Sequence, residues 1–131
     1  MVAMRTIGIV GMCAFAATAA DARTFPAQSV AILKSGQWHD DPYHLDTPLH
    51  CARFRPTPGE ILHYFKRAKV VDRMEWMELI WTQCSAEGTV SSAGQTYRWH
   101  LDQSGRGYVG RSVMEAVYLN GPELPFRPGR D

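Results

Sequence analysis

Thr57-Pro58-Gly59-Glu60-Ile61-Leu62-His63-Tyr64-Phe65-Lys66-Arg67-Ala68-Lys69 carries the strongest local signal in the chain. Threonine at the N-cap, proline at the first helical position and glutamate at the third make a capping box whose proline sits where no amide donor is needed. Behind it, Ile61, Leu62, Phe65 and Ala68 recur at helical spacing, while Glu60, His63, Lys66 and Arg67 face the other way. The pattern predicts a helix over 58–69, and Lys66, Arg67 and Lys69 suit the negative end of its dipole.

The chain after this helix reads as strands. Residues 75–87 carry Trp76, Leu79, Ile80, Trp81, Thr82 and Cys84, too apolar for an edge, and are expected to form a long central strand whose start could be a short helix. Tyr97, Trp99 and Leu101 alternate with Arg98, His100 and Asp102, the clearest period-two stretch present. Turns follow at 91–94 and 104–107, and 113–120 makes a last strand. Before the helix, Leu49, Cys51 and Phe54 suggest a short strand between Pro48 and Pro56, and residues 26–34 read either as two helical turns or as an extended arm. The fold class expected is therefore α+β, with one main helix packed on a three- to five-stranded antiparallel meander in cystatin-like order.

The 131 residues, with 14 basic against 13 acidic side chains, leave a net charge of +1. That balance gives no bulk attraction to nucleic acid or to an acidic membrane surface. Met1 to Ala22 has the layout of a secretory signal peptide: a cationic start, an apolar stretch too short to span a bilayer, and Ala20-Asp21-Ala22 as a cleavage site. The reading divides the chain into a leader (1–22), an irregular arm (23–48), an α+β domain (49–120) and a Pro/Gly-rich tail (121–131). Export to the periplasm or beyond is the expectation, with no membrane span.

Cys13 leaves with the leader, so Cys51 and Cys84 remain to pair in an oxidising compartment. Closing a loop of about 34 residues is worth ~3.5–4 kcal/mol in the chain-entropy model.

Cys51, Phe54, Thr57, Tyr64, Phe65, Cys84, Gly88, Trp99 and Gly105 together resemble small exported proteobacterial proteins with no assigned activity. The resemblance covers roughly 50–110 and implies an exported disulfide domain; it supplies no reaction, cofactor or site.

The polar clusters are weak as chemistry. Trp38-His39-Asp40-Asp41-Pro42-Tyr43-His44-Leu45-Asp46 offers imidazole and carboxylate groups, but at no spacing that converges three metal ligands. Arg98, His100 and Asp102 share a strand face without a nucleophile motif beside them. No catalytic residue, metal or cofactor is assigned, and the chain is read as not an enzyme. Four Trp and five Tyr in so small a chain are more suggestive. Rings left over from the core, with arginine beside them, have the composition of a protein-contact hot spot. The candidates are Trp38, Tyr43, Trp76, Arg106 and Tyr108. The expected function is a small exported binding protein acting on an unknown periplasmic or extracellular protein, for instance as an inhibitor or immunity factor. The alternative is an envelope enzyme or metal binder using His39, His44 and His100.

Overall fold

The computed structural model describes residues 23–43 and 45–128. The expected leader, His44 and residues 129–131 lie outside the described residues.

The elements run β1 (Ser29–Trp38), α1 (Pro48–Cys51), α2 (Pro58–Arg67), β2 (Lys69–Val71), α3 (Arg73–Met77), β3 (Cys84–Ser92), β4 (Gln95–Asp102), β5 (Arg106–Ser112) and β6 (Glu115–Asn120). All six strands join one antiparallel sheet in the order β1-β3-β4-β5-β6-β2.

This overturns the expected architecture of one main helix on a three- to five-stranded, cystatin-like meander. Among the described residues the sheet dominates, and the helices are three short pieces. Two strands were concealed. Residues 29–38 pair along β3 despite register shifts between Ile32 and Lys34 and between Lys34 and Gln37. Those irregularities break the period-two pattern that would have marked β1 as a strand. Three residues, Lys69–Val71, then pair with β6 and close the opposite edge. The expected strand around Cys51 is instead one turn of helix, because the Thr47 hydroxyl accepts from the His50 amide and Pro48 sits in the first turn. The expected long strand over 75–87 splits: Asp72 caps α3 by accepting from the Glu75 amide at 2.8 Å, and pairing begins only at Cys84.

The capping box does form. Thr57 and Glu60 exchange side-chain-to-backbone bonds of 3.1 and 2.9 Å at the head of α2. The β3–β4 connection is a two-residue turn in which Ala93 and Gly94 both have positive φ (51° and 79°), the twist that a tight hairpin requires. Ile61, Tyr64 and Phe65 of α2, and Ala68 that caps it, pack with Ala86, Val90, Trp99, Leu101, Val109 and Leu119 from the sheet. Cys51 and Cys84, both fully buried, form a disulfide that ties α1 to the start of β3. No helix among the described residues is long and apolar enough to cross a membrane.

The tail is not loose. Gly121, Leu124 and Arg127 amides donate to Gly105, Gln103 and Arg53 carbonyls, and Leu124 is buried in the core.

Candidate functional site

Because side chains alternate across a strand, the face of the sheet turned away from α2 is fixed by register. Glu87 pairs with His100, His100 with Tyr108, and Tyr108 with Tyr118, so these four form one row across β3, β4, β5 and β6. Neighbours in such a row touch. The His100 and Tyr108 rings are stacked, with centroids 5.3 Å apart and planes 15° apart.

Helix α3 covers one end of this row. Its Trp76 is buried, lies 5.1 Å from the Tyr118 ring and 6.2 Å edge-on from the Tyr108 ring, and donates from Nε1 to the Gly107 carbonyl at 2.8 Å. Arg106, at the start of β5, places its guanidinium carbon 3.7 Å from the centre of the Trp76 ring. A cation held over an indole face is attracted by the ring's quadrupole.

From the other side comes the loop after β1. Gln83 is buried and acts as its bracket: Nε2 donates to the His39 carbonyl at 2.6 Å, and Oε1 accepts from the Asp46 amide at 2.8 Å. The His39 amide donates in turn to the Gln83 carbonyl. The His39 ring is thereby brought within 6.4 Å of the His100 ring. His39, Asp40, Trp76, Trp81, His100, Asp102, Arg106 and Tyr108 together line an open cleft of about 450 Å³.

Charged groups of both signs line the cleft. Asp102 Oδ1 lies 3.4 Å from His100 Nε2. Burial lowers the basicity of Arg106, and Asp102 opposes that effect through space. The Tyr108 phenol is pushed above the usual range by burial first, then by Glu87 and Asp102, against Arg98. Arg98 itself is turned to Glu87, 3.7 Å away.

Three of the five expected contact residues, Trp76, Arg106 and Tyr108, therefore converge. Trp38 and Tyr43 do not line the cleft. Trp38 donates from Nε1 to the Asp46 carbonyl, and Tyr43 is 89% exposed at a turn closed by Asp41. His39 and His100 meet, but among the described residues no group of three or more His, Cys, Asp or Glu side chains is placed to hold a metal. The cleft offers acid–base groups but no hydroxyl or thiol apart from the Tyr108 phenol.

Sequence reasoning missed Trp81 and Asp40 as lining residues and Gln83 as the bracket. A buried glutamine between a tryptophan loop and a cysteine is a faint sign of a bracketing role, since a buried amide must find partners. A larger groove of about 530 Å³ runs between α2 and residues 122–125. Its Glu60 carboxylate is already engaged by the Thr57 amide and the Arg127 guanidinium.

No protein-family model matches this chain, and no curated protein or solved structure does so at a significant level. The functional reading rests on the cleft itself.

Proposed function

We propose that this chain is an exported protein that works by stoichiometric contact with another protein, using the outer-face cleft as the centre of its contact surface. An inhibitor or immunity factor for a periplasmic enzyme is the role this reading favours.

The observation that carries it is the convergence of Arg106, Trp76 and Tyr108 at an open face, with exposed apolar groups around them. Ile80, 83% exposed, lines the depression adjoining the cleft together with Arg106, and Met74 and Met77 of α3 are also exposed. Anchored aromatic and arginine side chains ringed by apolar contacts are the composition of binding hot spots. The disulfide and the signal-like sequence at the start of the chain support export.

The test is a paired capture. Full-length protein and its Arg106→Ala variant are expressed with a C-terminal tag, recovered from the periplasmic fraction, and compared for co-purifying proteins. The expected result is a processed N-terminus near Arg23 and a partner retained by the parent but lost with the variant. Retention of Met1, or identical recoveries with both baits, counts against the reading.

A second reading, an envelope enzyme or metal binder built on His39, His44 and His100, has the meeting of His39, His100 and Asp102 in its favour. Metal analysis of the purified protein, and of its His100→Ala variant, separates the two.

A further inference from the structure

The cleft contains one strong cation whose donors are unmet. Arg106 Nε is buried and has no hydrogen-bond partner. Among the described residues the ion pairs run between His50 and Asp46, Arg98 and Glu87, His100 and Asp102, and Arg127 and Glu60, so none involves Arg106. Asp102, whose charge acts on Arg106 through space, lies against His100. Leaving a buried donor unpaired is costly, and more so when it is charged. Arg106 thus lines the cleft with a guanidinium that no carboxylate of the described residues pairs directly.

The ring that this cation lies against is fixed. Trp76 cannot swing away without breaking its bond to the Gly107 carbonyl and its contacts with Tyr108 and Tyr118. With one face of the guanidinium against the indole, its edge is what remains for a ligand. That edge is a planar fork of N–H groups, matched by a planar acceptor that takes two hydrogen bonds side by side.

Asp40 and Asp102 line the same cleft as Arg106 and repel any anion, so it is the planar two-point match at the guanidinium edge that favours a carboxylate over a tetrahedral anion. The walls beside Arg106 are Trp81 and Tyr108, and the volume of about 450 Å³ accommodates a side chain next to the anionic group.

We infer that the cleft is a carboxylate-binding subsite. Arg106 takes a carboxylate presented by a partner protein, as an acidic side chain or a chain terminus, and a neighbouring apolar side chain of that partner lies against Trp81 and Tyr108. This rests on the protein-contact reading above and names the group that the contact recognises.

The test uses the full chain with four probes: a tetrapeptide ending in phenylalanine as the free acid, the same peptide as its C-terminal amide, that amide with an internal glutamate beside the phenylalanine, and 3-phenylpropionate. Binding is followed by tryptophan fluorescence, since Trp76 and Trp81 line the cleft. At least one of the two acidic peptides is expected to bind about tenfold or more tightly than the neutral amide. Arg106→Gln erases that preference, whereas Asp102→Asn, which leaves Arg106 untouched, strengthens acid binding severalfold.

Equal affinity for acid and amide, no binding of any peptide, a preference that survives Arg106→Gln, or weaker acid binding in Asp102→Asn overturns the inference. Binding of 3-phenylpropionate without either peptide acid overturns the protein source of the carboxylate. A partner that is captured by the parent and lost with Arg106→Ala, alongside equal acid and amide affinities, removes the carboxylate while the protein-contact reading stands. An acid preference without any captured partner removes the protein-contact reading and with it the protein source of the carboxylate, leaving only the carboxylate subsite.

Discussion

Gly88 and Trp99 face each other across the β3–β4 ladder, and the Trp99 ring occupies the space that any side chain at position 88 would need. A Cβ at Gly88 would stand 2.7 Å from Trp99 Cζ2 and 2.0 Å from the Ala31 carbonyl oxygen of β1. Trp99 is buried and anchored by donating from Nε1 to the Thr89 carbonyl at 2.8 Å, so it cannot yield. The close approach of β1 to β3 thus depends on one missing methyl group. Gly88→Ala is expected to destabilise the fold by about 3 kcal/mol, the upper part of the range for overpacking a core. Urea denaturation checks this: the midpoint falls, and an unchanged midpoint refutes the account.

The disulfide is the second brace. Both cysteines are fully buried, with Cα atoms 4.9 Å apart and a sequence separation of 33. Replacing both by alanine is expected to cost about 3.5–4 kcal/mol by the loop-closure argument. Burial adds a kinetic signature. In the oxidised folded protein, reductant and alkylating reagent should label the pair only at the rate of unfolding, so rapid labelling under native conditions would contradict the observed burial.

Tyr64 makes the fold sensitive to alkali. Its hydroxyl donates to the Gly105 carbonyl at 2.7 Å in a buried site. Burial first, and the Asp102 charge second, hold the phenol well above its usual range. The unfolded chain therefore releases this proton first, at about pH 10, and the folded form binds more protons above that point. Stability is full below about pH 10 and declines as pH rises further. Tyr64→Phe should flatten the decline while costing roughly 1–3 kcal/mol at neutral pH, because the Gly105 carbonyl loses its donor. Denaturation midpoints at about pH 8 and about pH 11 for parent and variant measure both effects.

The reach of sequence reasoning differs between these elements for physical reasons. The capping box at Thr57 and Glu60 and the alternation of Trp99 and Leu101 are local patterns, and both appear in the structure as read. The pairing of Cys51 with Cys84, expected from the leader reading together with the cysteine count, is present in the structure. β1 was ambiguous because its bulges scramble alternation, and the short helices at Pro48 and Arg73 depend on single caps set inside apolar stretches. The cleft was least legible. Arg106, Tyr108 and Trp76 stood out one by one as ring and cation candidates. Their convergence with His39, Asp40 and Trp81 is created by cross-strand register and by the Gln83 bracket, neither of which leaves a spacing in the chain.

The segment after β6 supplies the last expectation. A Pro/Gly-rich run cannot join a ladder, yet it need not hang free. Here residues 121–127 lie along the turn at 103–105 and the loop at 53–55. The Gly121 amide donates to the Gly105 carbonyl at 2.9 Å, and Leu124 exchanges bonds of 2.9 and 2.7 Å with Gln103. The Arg127 amide donates to the Arg53 carbonyl, and Arg53 Nε donates back to the Arg127 carbonyl at 3.0 Å. Leu124 fills the core beside this strap, and Phe126 packs on Phe54 and His50. Leu124→Ala alone is expected to cost about 3 kcal/mol through the cavity it leaves. Truncation after Asn120 should cost more, since it also uncovers Phe54 and removes the guanidinium that Glu60 binds. Denaturation of the truncated chain decides the point: a midpoint equal to that of the full chain would mean the strap contributes nothing, whereas loss of a cooperative transition would place residues 121–127 inside the folding unit.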